Sequence, residues 1–235
     1  MCETTSSSRP RAMISRSALA AAAAAAVGSG GRIADLRRDA WGHGVLPVAH
    51  AVIAAGGAAV RVDRTDEVEA LRLEGIQAVV DEEPDIDPVL LYGLPDAEGL
   101  LRTTPVMRLS GRVLSTKPLK SGDAVSYGYT YRATRDTTAA LVTGGYAQGI
   151  VRALGNAADV EIDGMLHPIV GRVAMDVCVI DLQGASAVAP GTEATYFGGG
   201  GVAGPGLARW SAVTGLTVAE LLTVAAAHAN RGWEA

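Results

Sequence analysis

Residues 106–128 read VMRLSGRVLSTKPLKSGDAVSYG. Arg108 to Leu114 carries apolar and β-branched residues at strand spacing, Lys120-Ser121-Gly122-Asp123 is turn chemistry, and Ala124 to Tyr127 is a second strand. The texture then repeats. Thr138 to Thr143, Asp159 to Ile162, Ile169 to Leu182 and Ala194 to Phe197 all read as strands, separated by Gly, Pro and Asp. Many short strands with such punctuation predict an antiparallel, barrel-like or sandwich-like β domain over residues 106–235. A helix closes it, with Thr217 and Glu220 as a capping box and Leu221, Leu222 and Val224 on its apolar face.

Upstream the pattern differs. Ala12-Met13-Ile14, Arg32 to Leu36, Ala58 to Val62 and Ile76 to Val80 read as strands. Between them lie a helix capped by Ser15 or Ser17 and ended by Gly28, a helix over residues 45–56, and an amphipathic helix from Thr65 to Leu73 with Thr65 as cap and Glu67 and Glu69 facing water. Strand and helix in alternation predict parallel βα units. The alternation stops at the acidic loop Asp81 to Asp85, and Val89 to Tyr92 reads as one more strand. Residues 12–105 are too few for an eight-fold barrel, which takes roughly 250 residues. The expected architecture is therefore α/β plus β: a truncated barrel-like βα segment over 12–105, then the β domain. Residues 1–11 are expected to be a disordered tail.

Composition limits the function classes. A formal net charge of −5 without a basic stripe argues against nucleic-acid binding. No apolar run is long enough for a membrane span. Arg9, Arg11 and Arg16 ahead of the alanine run could begin a signal peptide, but alanine is the best helix former and a short helix is the preferred reading. Cys2 and Cys178 make no disulfide framework, which favours a reduced, cytoplasmic setting. No His, Cys and carboxylate set has metal-ligand spacing, so no metal is expected. Gly198 to Gly201 lacks the Lys-Ser/Thr of a phosphate loop and reads as a flexible turn.

Three motifs stand in order: Lys120-Ser121-Gly122-Asp123 with Val125-Ser126-Tyr127-Gly128, then Gly145-Tyr146-Ala147-Gln148-Gly149, then Pro168-Ile169-Val170-Gly171-Arg172-Val173-Ala174-Met175-Asp176. Taken singly, Tyr127 is most simply a packed strand-end tyrosine and Met175 a core filler. Taken together, the three resemble the C-terminal domain of alanine racemases. That family interconverts L- and D-alanine with pyridoxal 5'-phosphate and so supplies D-alanine for the cell wall. By the resemblance, Tyr127 is one of two acid–base residues. Racemisation needs proton carriers on both faces of a planar carbanion, and a phenol can serve as one. Met175 would meet the substrate carboxylate through its backbone N–H, and Tyr146 would line the entrance. The resemblance also implies a dimer in which each C-terminal domain caps the partner's barrel.

Asp39-Ala40-Trp41-Gly42-His43-Gly44 resembles the family's lysine-bearing K-A-D-A-Y-G-H-G. In that register the cofactor-bearing lysine falls on Arg37, which stays protonated and is no nucleophile for an imine. A phosphate-contacting tyrosine falls on Trp41. Val89 to Leu94 resembles the eighth barrel strand and puts Tyr92 in the cofactor neighbourhood. There the arginine that partners the ring nitrogen aligns with Ile86, and a phosphate-binding glycine with Pro88, which has no N–H. Another phosphate-binding tyrosine aligns with Ala227, and Gln148 replaces the usual Asp of its motif. Asp35, two residues before Arg37, is costly to bury unless paired. His43 reads as a structural histidine. The lysines of the chain, Lys117 and Lys120, belong to the β domain.

Three readings follow: a racemase-family chain with impaired catalysis, an inactive binding or regulatory partner of a full-length racemase, or a decayed remnant with unpaired strand edges. Homodimer and heterodimer with a racemase both remain open, with alanine as the family substrate.

Overall fold

A computed structural model describes residues 9–184 and 188–235. The tail expected at residues 1–11 lies largely outside them. Strand β1 (Arg11–Ser15) opens the chain, and α1 (Arg16–Gly28) follows without a loop. Ser15 caps α1 by accepting from the Ala18 N–H at 3.2 Å. The alanine run is therefore a helix, with Leu19, Ala22, Ala23 and Ala26 buried. Small side chains allow close approach, and α1 packs against α3 (Val45–Ala54) and α5 (Pro88–Tyr92).

Strands β2 (Ile33–Asp35), β3 (Ala59–Arg61) and β4 (Ala78–Val79) form a parallel sheet in that order. The strand expected at Ala12 to Ile14 is absent from this sheet. It pairs antiparallel with β5 (Met107–Leu119) and parallel with β13 (Asn230–Glu234). The strand expected at Val89 to Tyr92 is helical. Asp87 accepts from the Val89 N–H at 2.8 Å, Pro88 sits in the first turn, and Gly93 ends α5 in the left-handed region. Those cap signals outweigh a short apolar run that periodicity cannot assign. Helix α4 (Thr65–Leu73) is closed not by Thr65 but by Glu67, whose carboxylate accepts from the N–H groups of Asp63 and Arg64 at 3.1 and 3.0 Å.

The larger sheet has the order β10-β9-β12-β5-β1-β13, with β8 on the far half of β5 and β11 beyond it. Its further strands are β8 (Thr137–Thr143), β9 (Asp159–Ile162), β10 (Met165–Pro168), β11 (Val177–Asp181) and β12 (Glu193–Gly198). The long strand expected from Ile169 to Leu182 is broken: Ile169 still bridges Ile180, and residues 171–176 then leave the ladder as a loop before β11. A small hairpin, β6 (Ala124–Val125) with β7 (Tyr131–Arg132), encloses Tyr127. Helices α6 (Gly206–Thr214) and α7 (Val218–Ala227) complete the fold. The capping box on α7 is present: Thr217 Oγ1 accepts from the Glu220 N–H at 3.2 Å, and Glu220 accepts from the Thr217 N–H at 2.8 Å. One hydrophobic cluster runs from Ala12 and Leu36 through Leu109 and Val142 to Leu222, so both halves share a core.

The outer edge of β2 is covered. After β4 the chain returns along it, and Ile33 O accepts from the Asp85 and Ile86 N–H groups, each at 3.0 Å. Asp85 Oδ1 accepts in turn from the N–H groups of Arg32 and Ile33 at 2.7 and 2.6 Å. Backbone hydrogen bonds from Ile33 and Arg32 hold this carboxyl below the usual carboxylate range. The acidic loop thus supplies what a neighbouring strand would supply. The substitution Asp85→Ala is expected to lower the melting temperature and raise light scattering on warming. An Asp85→Ala chain that melts and scatters like its parent would mean the edge is protected otherwise.

Candidate functional site

A cavity of about 580 Å³ opens at the carboxyl ends of β2 and β3. Ligand sites in parallel α/β sheets form at that end. Asp35, Arg37, Arg38, Trp41 and Asp63 line it from the βα portion, and Gly149, Val151, Leu216 and five residues of α7 (Ala219, Glu220, Leu221, Thr223 and Val224) line it from the β domain. Asp35 is only 12% exposed in its side chain, and Arg37 answers it with three donors. The backbone N–H and Nε reach Oδ1 at 3.1 and 2.9 Å, and a terminal guanidinium nitrogen reaches Oδ2 at 2.8 Å. Burial pushes the Asp35 carboxyl upward, but the Arg37 hydrogen bonds and charge overcome this and hold it below the usual carboxylate range. The hydrogen bond from Arg37 to Asp35 likewise raises the guanidinium above its ordinary value. The cost expected for a buried aspartate is offset by this pairing.

The backbone after Arg37 is unusual. The turn α2 (Arg37–Trp41) winds left-handed from Arg38 to Trp41, with φ between 51° and 55° at four successive non-glycine residues. Such residues cost about 1–2 kcal/mol each in this region. Tertiary contacts hold the turn. Asp63 accepts from the Arg38 N–H at 2.6 Å, Asp39 accepts from the Val45 N–H at 3.0 Å, and Arg231 on β13 pairs with Asp39 and donates to Gly42 O at 3.2 Å. Gly42, at φ 84°, lies so close to Ala226 on α7 that a Cβ would collide with it. Strained backbone fixed from outside is typical of functional sites.

Beneath the turn, Tyr92 stacks between Trp41 and His43, at centroid distances of 5.1 and 4.6 Å. Tyr92 is fully buried and donates its hydroxyl to Asp35 O at 2.8 Å, while burial pushes its pKa well above the ordinary value. It braces the strand end and does not line the cavity. His43 is fully buried, with Nδ1 3.0 Å from Ala40 O and, among the described residues, no partner for Nε2. Burial drives its pKa down to about 4, so the ring is neutral.

The other three candidate residues lie elsewhere: Met175 is on the 171–176 loop, and the segments that carry Tyr127 and Tyr146 pack against that loop. Ser126 Oγ donates to Arg172 O at 2.7 Å, the Tyr146 N–H to Ala174 O at 2.9 Å, and the Ala147 N–H to Met175 O at 3.0 Å. Gly171, at φ 72°, leaves room for Ser126, where a side chain would clash. Tyr127 is 76% exposed, Met175 54% and Tyr146 40%. Tyr127 is thus no packed strand-end tyrosine and Met175 no core filler. The Arg152 guanidinium sits over the Tyr146 ring at 5.3 Å. Gln148 donates to Asp176 at 2.8 Å and accepts from the Gly145 N–H at 2.9 Å, shaping the turn whose Gly149 borders the cavity. Tyr127 and Met175 do not line the cavity that holds Arg37 and Trp41.

The family model for the alanine racemase C-terminal domain matches residues 106–233. The chain belongs to the alanine racemase family. The alanine racemase of Mycolicibacterium vanbaalenii is 45% identical over 108 residues, covering 46% of this chain and 28% of that protein. The Mycobacterium avium alanine racemase is 39% identical over 138 residues, covering 57% and 36%. The chain therefore spans about a third of the length of the curated relatives it matches. In fold it is similar to the Streptomyces coelicolor A3(2) alanine racemase, with TM-score 0.79 and 22% identity over 96% of this chain and 98% of that one. The Bartonella henselae alanine racemase, solved with covalently bound pyridoxal phosphate, superposes with TM-score 0.74 and 16% identity, over 96% and 99%.

The cavity residues do not fit a cofactor of that kind held through a lysine imine. Among the described residues, no amine lines the cavity. Lys117 and Lys120 lie on β5 and the turn after it, and Lys120 is paired with Asp136 at 2.8 Å. Ile86 and Pro88 are spent on the β2 edge and the start of α5. Two features escaped the sequence reading: the Asp35–Arg37 clamp and Asp63 at the end of β3. The signal for Asp63 was its place, since it follows β3 as Asp35 ends β2.

His43 makes stability depend on pH. The unfolded chain binds the histidine proton near 6.5, the folded chain only near 4. Stability is full above pH 6.5 and falls by about 1.4 kcal/mol per unit below it until the folded value is reached. Between pH 7 and pH 5 the loss is expected to be roughly 2 kcal/mol, read as a drop in the urea midpoint. The His43→Gln chain should lose most of that dependence; an unchanged slope would place the sensitivity elsewhere.

Proposed function

We propose that this chain is a catalytically impaired member of the alanine racemase family that lends its C-terminal domain to a cofactor-bearing partner. The observation that carries this reading is a division between two sites. Position 37, on which the motif resemblance puts the family's lysine, holds an arginine clamped to Asp35, while Tyr127, Tyr146 and Met175 stand exposed on segments that pack together. Residues 12–105 are read as a shortened barrel and residues 106–235 as the C-terminal domain. On this reading the chain does not itself hold pyridoxal 5'-phosphate; a partner racemase holds it, in a cytoplasmic dimer.

In such a heterodimer Tyr127 would face the partner's barrel and exchange the α-proton of alanine at its phenolic oxygen. The Ser126–Arg172 contact would hold the tyrosine loop in place, and the backbone N–H of Met175 would meet the substrate carboxylate. The chemistry of the cofactor, an electron sink for the carbanion, would come from the partner. The shared core, the covered β2 edge and the paired Asp35 favour this reading over a decayed remnant.

The test mixes this chain with a full-length racemase whose own catalytic tyrosine has been changed to phenylalanine. D-Alanine formation is expected to rise by about 10²-fold over the tyrosine-less enzyme, as removal of a general acid–base group would imply. A Tyr127→Phe chain should abolish the gain while still co-migrating with the partner. No recovery and no heterodimer in native mass spectrometry would overturn the reading.

A further inference from the structure

The cavity at the ends of β2 and β3 holds two residues that act together, Asp35 and Arg37, and the geometry around Arg37 is organised by Asp35. That carboxylate accepts three hydrogen bonds from Arg37. It is largely withdrawn from solvent, and its backbone carbonyl is fixed by the Tyr92 hydroxyl at 2.8 Å. The turn that follows is left-handed and is held by Asp63 and Arg231, so position 37 has little freedom to leave its partner.

We infer that Asp35 is the residue that decides what chemistry position 37 can carry, selecting a cation there and selecting against a free amine. This does not rest on the heterodimer proposal; it concerns the cavity of the single chain. Imine formation needs a neutral amine. Its nitrogen lone pair attacks the carbonyl carbon, a C–N double bond forms, and the carbonyl oxygen leaves as water with the two amine protons. A carboxylate within hydrogen-bonding distance favours the ammonium form, which has no lone pair to give. The substitution Arg37→Lys would therefore not by itself recreate a carbonyl-reactive site. The ammonium would take the place of the guanidinium against Asp35.

Three chains test this: the parent, Arg37→Lys, and Asp35→Asn with Arg37→Lys. Each is incubated with pyridoxal 5'-phosphate across a pH series, reduced with borohydride, and mapped by peptide mass. Lys117, present in every chain on β5, serves as the reference amine. The double variant is expected to be labelled at position 37 with a midpoint near that of Lys117. The single variant should be labelled there only at a midpoint about one pH unit or more higher, in line with the effect of an adjacent opposite charge. Near-UV circular dichroism checks that each chain keeps its packing. If the double variant does not fold, the single variant still decides: a midpoint above that of Lys117 supports the inference. Labelling of position 37 in the single variant at or below the Lys117 midpoint overturns it. Equal midpoints in the two variants, or no labelling at 37 in a folded double variant at any pH, also overturn it. None of these outcomes bears on whether the chain complements a partner racemase.

Discussion

The structure depends on β5. Over Met107 to Arg112 it is flanked by β1 on one side and β12 on the other, and from Val113 to Leu119 it passes to β8. Among the described residues, no other strand of the larger sheet pairs with three neighbours. Through β1 it also carries the N-terminal segment, because α1 follows β1 directly and packs on α3 and α5 of the βα portion. The parallel sheet has three strands of two or three residues, and it contributes buried residues to the core that β5 anchors, from Ile14 and Leu36 to Leu109 and Leu222. Arg108 on β5 adds ion pairs to Glu193 on β12 and Glu234 on β13, so strands distant in sequence meet on one residue.

The cavity is a consequence of that arrangement. β13 pairs with β1 and thereby delivers Arg231 to the left-handed turn. α7 packs on Gly42 and lines the cavity that holds Arg37. The turn is costly by itself and persists because elements from both ends of the chain hold it. Within this frame Asp35 and Arg37 form a closed pair. The family's fold is retained around the cavity while the group that would join a carbonyl cofactor is absent from its described lining.

Much of this was legible in the sequence. The three C-terminal motifs identified the family. The capping signals at Ser15 and at Thr217 with Glu220 appeared as read, because such hydrogen bonds are local. What was misread depended on distant partners or on competing local signals. β1 reads as one more βα strand until β5 and β13 are available to pair with it. Val89 to Tyr92 is apolar enough for a strand, and Asp87-Pro88 decided for a helix. The exposure of Tyr127 and Met175 was hidden, since aromatic and thioether side chains are buried more often than not. Asp35 was recognised as needing a partner, but that Arg37 would supply it through three hydrogen bonds is a matter of geometry at the strand end. The covered edge of β2 was not legible at all, because it rests on a contact between residues 33 and 85.

Hydrogen exchange measured by mass spectrometry over a range of low denaturant concentrations tests most directly the claim that β5 joins both halves into one cooperative unit. Amides of β2 and β3 are expected to exchange with the same opening free energy and denaturant dependence as those of β1 and β5, in a single global event. Exchange of β2 and β3 through a separate, lower-energy opening, while β5, β8 and β12 stay protected, would contradict the account. It would mean that the parallel sheet and its cavity are an appendage to the larger sheet.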